Sequence, residues 1–206
     1  MARGLVAMQG DQPTQAAIPR LVGTTPSQQI SMNPPAIALH PGIIPNPQSL
    51  FVHLKETVRW DERMKARKTA SFGVPYDYSQ LSYAPAPMPE ELDALCSRIH
   101  SLLGFRPNNC LLNYYPDGNA SMGFHSDSSE QLAPDTGVVI VSLGGERAIS
   151  YQAKTDRAIH FSYVLTNGSL LYMSDQIQHD WLHAIPRQVG ADERISVTFR
   201  SLLPGL

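Results

Sequence analysis

The 206-residue chain predicts a mainly β fold with flanking helices, a two-sheet jelly roll of the double-stranded β-helix type. Short runs rich in β-branched and aromatic residues follow one another after Pro107. Two segments of helical periodicity precede them, and no internal repeat is evident. Turn residues separate the runs, as in Asn167-Gly168 and Leu143-Gly144-Gly145.

Residues 1–45 are rich in Pro, Gln, Ser and Thr without a sustained period. Residues 1–30 are expected to be flexible and 31–45 an irregular lead-in. Asn46-Pro47 predicts a helix start, with Asn as cap and Pro in the first turn, followed by Leu50, Phe51, Leu54 and Val58 at helical spacing. A second helix opens with Glu90 and Glu91, which favour the helix dipole. Leu92, Leu95, Cys96, Ile99, Leu102 and Leu103 form its apolar face, and Gly104 ends it. Strands are expected at 110–115, 137–143, 148–153, 158–165, 169–173, 181–185 and 194–202. Residues 46–206 therefore read as a single domain, with helices in 46–106 and a jelly-roll core in 107–203.

Hydrophobic residues make up 42% of the chain and charged residues 17%, as in ordinary soluble domains. No apolar run approaches the ~20 residues that span a bilayer, so no membrane association is expected. The N-terminal residues hold no apolar stretch followed by a cleavage site, which predicts an intracellular protein, cytoplasmic or nuclear. Cys96 and Cys110 are too few for a disulfide framework and read as buried free thiols. The net charge of −2 argues against a broadly basic nucleic-acid binder. Yet Lys55, Arg59, Arg63, Lys65, Arg67 and Lys68 cluster against only Glu56, Asp61 and Glu62, a focused patch able to steer a polyanion, although on charge alone a solvated helix or loop face is the plainer reading.

His125 and Asp127 are two residues apart, so in extended backbone both side chains point the same way. With a second histidine they make the two-histidine, one-carboxylate set of a non-haem Fe(II) site, which leaves coordination positions open. His179 and His183 are rival candidates for that histidine. His183 is preferred because Trp181 and Ile185 share its face of an extended strand, whereas His179 lies beside Asp180, Gln176 and Gln178 and reads as a loop residue. Arg194, Ser196, Thr198 and Arg200 share one face of a later strand, and Asn113 and Tyr115 share a face of an earlier one. Two fixed guanidinium forks suit a dicarboxylate co-substrate. An amphipathic strand with solvated arginines is the plainer reading of Arg194 and Arg200.

In this order the residues resemble the AlkB family of Fe(II)- and 2-oxoglutarate-dependent dioxygenases, nearest its nucleic-acid demethylases. The resemblance covers about residues 47–203 and rests on Thr69-Ala-Ser-Phe-Gly73, Tyr76-Asp-Tyr-Ser79, Asn113-x-Tyr115, Met122-Gly-Phe-His-Ser-Asp127, Gln178-His-Asp-Trp-Leu-His183 and Arg194-x5-Arg200. It implies that His125, Asp127 and His183 hold Fe(II). Tyr115 and Arg194 would then grip the distal carboxylate of 2-oxoglutarate, while Asn113 and Arg200 contact its metal-chelating end.

The implied reaction uses O₂ and releases succinate and CO₂, and an oxidised N-methyl group leaves as formaldehyde. Residues 55–80 resemble the family's nucleotide-recognition lid. Phe72, Tyr76 and Tyr78 are then candidates to stack on an extruded base or, equally, to pack the lid onto the core, with Arg157 as a nucleic-acid contact. The implied partner is alkylated nucleic acid, single-stranded or locally opened, and a monomer is expected. One departure stands out: the family pattern has an acid two residues after the metal aspartate, whereas this chain has Ser129 and then Glu130. The alternative function is a hydroxylase of a small molecule or protein side chain on the same fold. A zinc-binding or non-catalytic jelly roll fits less well, because zinc has no need of a dicarboxylate clamp.

Overall fold

The computed structural model describes residues 37–78 and 81–203, the side chain of Tyr78 excepted. Two antiparallel sheets face each other. The larger has six strands in the order β1-β10-β7-β12-β5-β2, and the smaller has four in the order β6-β11-β8-β9. The strands are β1 Ile37–His40, β2 Lys68–Gly73, β3 Tyr76–Tyr78, β4 Leu81–Tyr83, β5 Asn109–Tyr115, β6 Met122–His125, β7 Gly137–Gly144, β8 Arg147–Ala153, β9 His160–Leu165, β10 Ser169–Ser174, β11 Trp181–Ile185 and β12 Arg194–Arg200. The helices are α1 Pro47–Thr57, α2 Glu90–Leu103 and the short α3 Asp175–Asp180. This is the expected mainly β jelly roll with helices packed outside.

Side-chain alternation builds two cores. On β12, Ile195, Val197 and Phe199 face outward, where they join Leu112 and Cys110 of β5, Val139 and Val141 of β7, and buried faces of the first two helices. Phe51 and Leu54 are the buried residues of α1, and Leu92, Leu95, Cys96 and Ile99 are those of α2. Between the sheets lies the second core, with Leu111, Ile140, Leu171 and Met173 from the larger sheet. Ile149, Tyr151, Phe161, Trp181 and Ile185 come from the smaller one. Both cysteines are free and buried, as expected. Gly144 shows how closely α1 is seated: a Cβ there would meet the Glu193 carbonyl oxygen at 2.5 Å and the Phe51 ring at 2.9 Å.

Several local expectations change. Ile37–His40, expected as irregular lead-in, pairs with β10 as an edge strand of the larger sheet, with Leu39 in the inter-sheet core. Asn46 adopts a left-handed conformation (φ 47°) and makes no side-chain cap, so Pro47 alone marks the start of α1. Lys68–Gly73, placed in the lid by resemblance, is a sheet strand paired along its length with β5. The lid-like element that remains is the β3–β4 hairpin, where Tyr76 pairs with Tyr83. The flexibility expected of residues 1–30 falls outside the described residues.

Candidate metal centre and anion clamp

The smaller sheet carries the ligands. His125, the last residue of β6, lies directly across from His183 on β11, and their ring centroids are 4.3 Å apart. Asp127 follows two residues beyond β6. It is anchored by its own N–H, which donates to Gln178 Oε1 at 2.9 Å. One ligand atom from each of His125, Asp127 and His183 can be chosen so that all lie within 4.8 Å of one another. His179 is excluded: it sits on α3 with its ring exposed, 3.5 Å from Asp175. The segment read as a loop is this short helix, and it buries Gln178 against the site.

Hydrogen bonds set the direction of His125 and Asp127. His125 Nδ1 lies 2.9 Å from the Gly123 carbonyl, which accepts its proton and leaves Nε2 for a metal. Arg200 Nη2 donates to Asp127 Oδ1 at 2.8 Å, while Oδ2 lies 3.7 Å from His183 Nε2. Burial pushes the Asp127 carboxyl upward, but Arg200, with His183 and His125, overrides it and holds the group below its ordinary range. His183 is lowered from 6.5 to about 4 by burial. It is therefore a neutral, metal-ready imidazole at physiological pH.

The larger sheet supplies the cations. Arg194 is 0% exposed and Arg200 1%, so the reading of solvated arginines fails. Arg194 Nε donates to Ser142 Oγ at 2.8 Å, and its guanidinium carbon lies 5.3 Å from the Tyr115 ring centroid. Both terminal nitrogens of Arg194 are buried without a hydrogen-bond partner among the described residues. Burial lowers this guanidinium to about 10, while Tyr115 works in the opposite direction, so it still enters neutral solution charged. A buried fork that stays cationic at neutral pH, with no carboxylate paired to it among the described residues, is a fit for an anionic ligand.

Asn113, Tyr115, His125, Asp127, His183 and Arg200 line one cavity between the sheets. The predicted metal and co-substrate residues are thus brought together. Arg194 flanks them through Tyr115. Two imidazoles and one carboxylate with basic groups behind them suit Fe(II) and a dicarboxylate. This combination defines a class of enzyme: a non-haem Fe(II) oxygenase that takes an anionic co-substrate.

Comparisons with known proteins agree. A family model described as the 2OG-Fe(II) oxygenase superfamily matches residues 28–200. The alpha-ketoglutarate-dependent dioxygenase alkB homolog 3 of Rattus norvegicus is 29% identical over 212 residues, covering 90% of this chain and 72% of that protein. The DNA oxidative demethylase ALKBH2 of Bos taurus is 32% identical over 149 residues, covering 67% of this chain and 54% of that protein. The solved structure of OsALKBH1 shares the fold, with a TM-score of 0.58 over 82% of this chain and 99% of its own at 15% identity. The chain belongs to the AlkB family of the 2OG-Fe(II) oxygenase superfamily. It is an Fe(II)- and 2-oxoglutarate-dependent dioxygenase.

The residues expected to bind substrate are distributed differently. Phe72 is half-buried on the outer, helix-facing side of β2, with Ala70 and Cys110, so it cannot stack beside the iron site. Tyr76 is 4% exposed and lies under Arg200, whose guanidinium carbon is 4.6 Å from its ring centroid. It is covered by that arginine and is not an open stacking platform. The backbone of Tyr78 lies on the β3–β4 hairpin, and its side chain falls outside the described residues. Arg157 is exposed in the turn between β8 and β9.

The basic run is largely neutralised. Lys55 pairs with Glu193 at 2.6 Å, Lys68 with Glu62 at 2.6 Å and Arg63 with Asp61, while Arg67 is buried. Arg59 and Lys65 are exposed.

Sequence reasoning missed three supports of the site. Gln178 holds the Asp127 backbone, as described. Arg147 is fully buried against the Tyr115 ring and donates to the carbonyls of Asp117, Ala120 and Pro186. Tyr151, paired with His183 across β8 and β11, packs its ring 6.0 Å from the imidazole. The alternation of β8 (Arg147, Ile149, Tyr151) was the available signal, since it puts an arginine and a tyrosine on one face with an isoleucine.

Proposed function

We propose that the protein oxidatively demethylates N-alkylated nucleobases in DNA or RNA, using Fe(II), 2-oxoglutarate and O₂ and releasing succinate, CO₂ and formaldehyde. The observation that carries the reading is the His125–Asp127–His183 cluster in one cavity with Asn113, Tyr115 and Arg200, with Arg194 buried behind it. The names of the relatives support the substrate class: one is called a DNA oxidative demethylase. When bound, iron with 2-oxoglutarate and O₂ supplies an oxidant strong enough to hydroxylate an N-methyl C–H bond. The resulting N-hydroxymethyl group loses formaldehyde and leaves the N–H of the repaired base.

The chain's own residues bind, orient and exclude. His125, Asp127 and His183 would hold the metal on one side, leaving the rest of its coordination sphere open. Tyr115 and Arg194 would fix one carboxylate of 2-oxoglutarate, and Asn113 and Arg200 the end that meets the metal. Arg200 also steers the Asp127 carboxylate and keeps it ionised. The apolar lining of Leu111, Ile140, Ile149 and Ile185 restricts water.

Substrate would be a single-stranded or locally opened nucleic acid, because the reacting base must leave its stack to reach a buried centre. Arg157 and Tyr78 are the positions from which we expect the strand to be contacted. We place the protein inside the cell, acting as a monomer in which residues 46–206 form one dioxygenase domain. Among the described residues, no helix is long and apolar enough to cross a membrane. A hydroxylase acting on a small molecule or protein side chain is the second reading, favoured by the neutralised basic run and by Ser129 in place of an acid.

The deciding experiment incubates methylated single-stranded DNA and RNA oligonucleotides with protein, Fe(II), 2-oxoglutarate and ascorbate, followed by mass spectrometry. Loss of the methyl group with matching formaldehyde supports demethylation. Succinate formation without base-dependent formaldehyde would overturn it in favour of the second reading.

A further inference from the structure

Arg67 lies in the middle of the basic run, yet it does not behave as a phosphate contact. It is 6% exposed. Its Nε donates to Asn113 Oδ1 at 2.7 Å, and its Nη1 makes a long contact of 3.4 Å to the Ser121 carbonyl. Asn113 is itself buried in the middle of β5, with Ser196 of β12 across from it on one side and Thr69 of β2 on the other. It lines the same cavity as His125, Asp127 and Arg200.

A carboxamide has two chemically opposite ends of nearly equal size, and packing alone does not choose between them. Here the choice is made by chemistry. Guanidinium N–H groups only donate, so the end that meets Arg67 must be the carbonyl oxygen. The amide N–H₂ end is then turned away from Arg67, and Asn113 lines the cavity. Released from Arg67, the group could rotate and present oxygen lone pairs to the same space. Toward an anionic ligand that change replaces a hydrogen bond with repulsion.

We infer that Arg67 is a positioning residue for the co-substrate, acting through Asn113 to keep an N–H donor rather than an acceptor facing 2-oxoglutarate. The inference rests on the reading of Asn113 as a contact of 2-oxoglutarate, and it adds a residue outside the Asn-x-Tyr and Arg-x5-Arg pattern. It also explains why a guanidinium is buried beside a neutral amide: the charge-assisted bond at 2.7 Å fixes its partner more strongly than a neutral donor would.

The test measures binding, without nucleic acid. 2-Oxoglutarate is titrated anaerobically into the Fe(II)-loaded protein, and its chelation is followed by the visible charge-transfer absorption. Arg67→Gln is expected to raise the 2-oxoglutarate Kd roughly tenfold or more, the loss of one charged hydrogen bond. At saturating co-substrate kcat should be little changed, so the defect appears in the KM for 2-oxoglutarate.

Arg67→Lys keeps the charge but loses the fixed Nε direction, so a smaller rise in the same sense is expected. This variant serves equally if the glutamine variant does not fold. In an Asn113→Ala background, Arg67→Gln should have no further effect. An unchanged Kd in a folded Arg67 variant, or additive effects in the double variant, overturns the inference alone. Absence of the absorption change in the unaltered protein would overturn the co-substrate reading together with it.

Discussion

The two faces of β12 are equally buried and opposite in content. Outward, Ile195, Val197 and Phe199 close against the helices in an apolar core. Inward, Ser196, Thr198 and Arg200 line a cavity ringed by ligands and donors, and Arg194 is buried behind it against Tyr115. The outer face gains its energy from removing hydrocarbon from water. The inner face carries guanidinium groups whose desolvation opposes folding, and it is retained for what it binds. One strand thus separates stability from function by side-chain parity alone.

The largest effect that could break this comparison is removal of a ligand. His183→Ala deletes one of three metal-binding groups, so iron content and succinate formation should fall to background by metal analysis and turnover assay. Substantial activity in this variant would dissolve the functional side of the contrast. Next come paired substitutions on β12. Phe199→Ala should cost about 3–5 kcal/mol in denaturant unfolding and leave 2-oxoglutarate affinity intact. Arg194→Met should weaken 2-oxoglutarate binding roughly 10- to 100-fold while leaving stability unchanged or higher, since it removes a buried charge.

The pH limits sharpen the same division. His183, held at about 4 against an ordinary 6.5, stays neutral in the fold while the unfolded chain takes up its proton first. The stability of the metal-free protein should therefore be full above pH 6.5 and fall by up to roughly 3 kcal/mol as the pH drops toward 4. Cys110 lies on the outer face, and burial pushes its thiol above the ordinary 9.0. Its contribution is present below pH 9 and lost as the pH rises beyond that, because only the unfolded chain then ionises. The cavity, through His183 of β11, and the outer core, through Cys110 of β5, should fail at opposite ends of a stability–pH profile. The smallest effect is expected outside both faces. Glu62→Gln frees Lys68, changing stability by less than about 1 kcal/mol and strengthening oligonucleotide binding mainly at low salt.

Much of this was legible from the chain. Periodicity located α1, α2 and seven strands, and parity alone placed Arg194 with Arg200 and Asn113 with Tyr115. Parity also chose His183 over His179, because Trp181 and Ile185 marked a buried face. The failures share one cause. Ile37–His40, Lys68–Gly73 and Met122–His125 are short strands whose burial is conferred by a distant partner. Phe72 and Tyr76 were judged by residue type, but sheet register decides which side an aromatic faces. The basic run was judged by composition, whereas individual partners in space cancel half of it and bury Arg67.

The edge position of β6 has a consequence for the life of the protein. Among the described residues this four-residue strand pairs only with β11, and its register shifts between His183 and Ile185, so little backbone bonding secures it. Yet it ends on His125 and leads directly into Asp127, two of the three candidate ligands. A bound metal would join this edge to the interior through His183, as a rivet fastens a hem. Scarcity of iron should then do more than silence the enzyme. It should let the hem lift, expose the segment around residues 116–130 to proteases, and shorten the survival of molecules that have lost their metal.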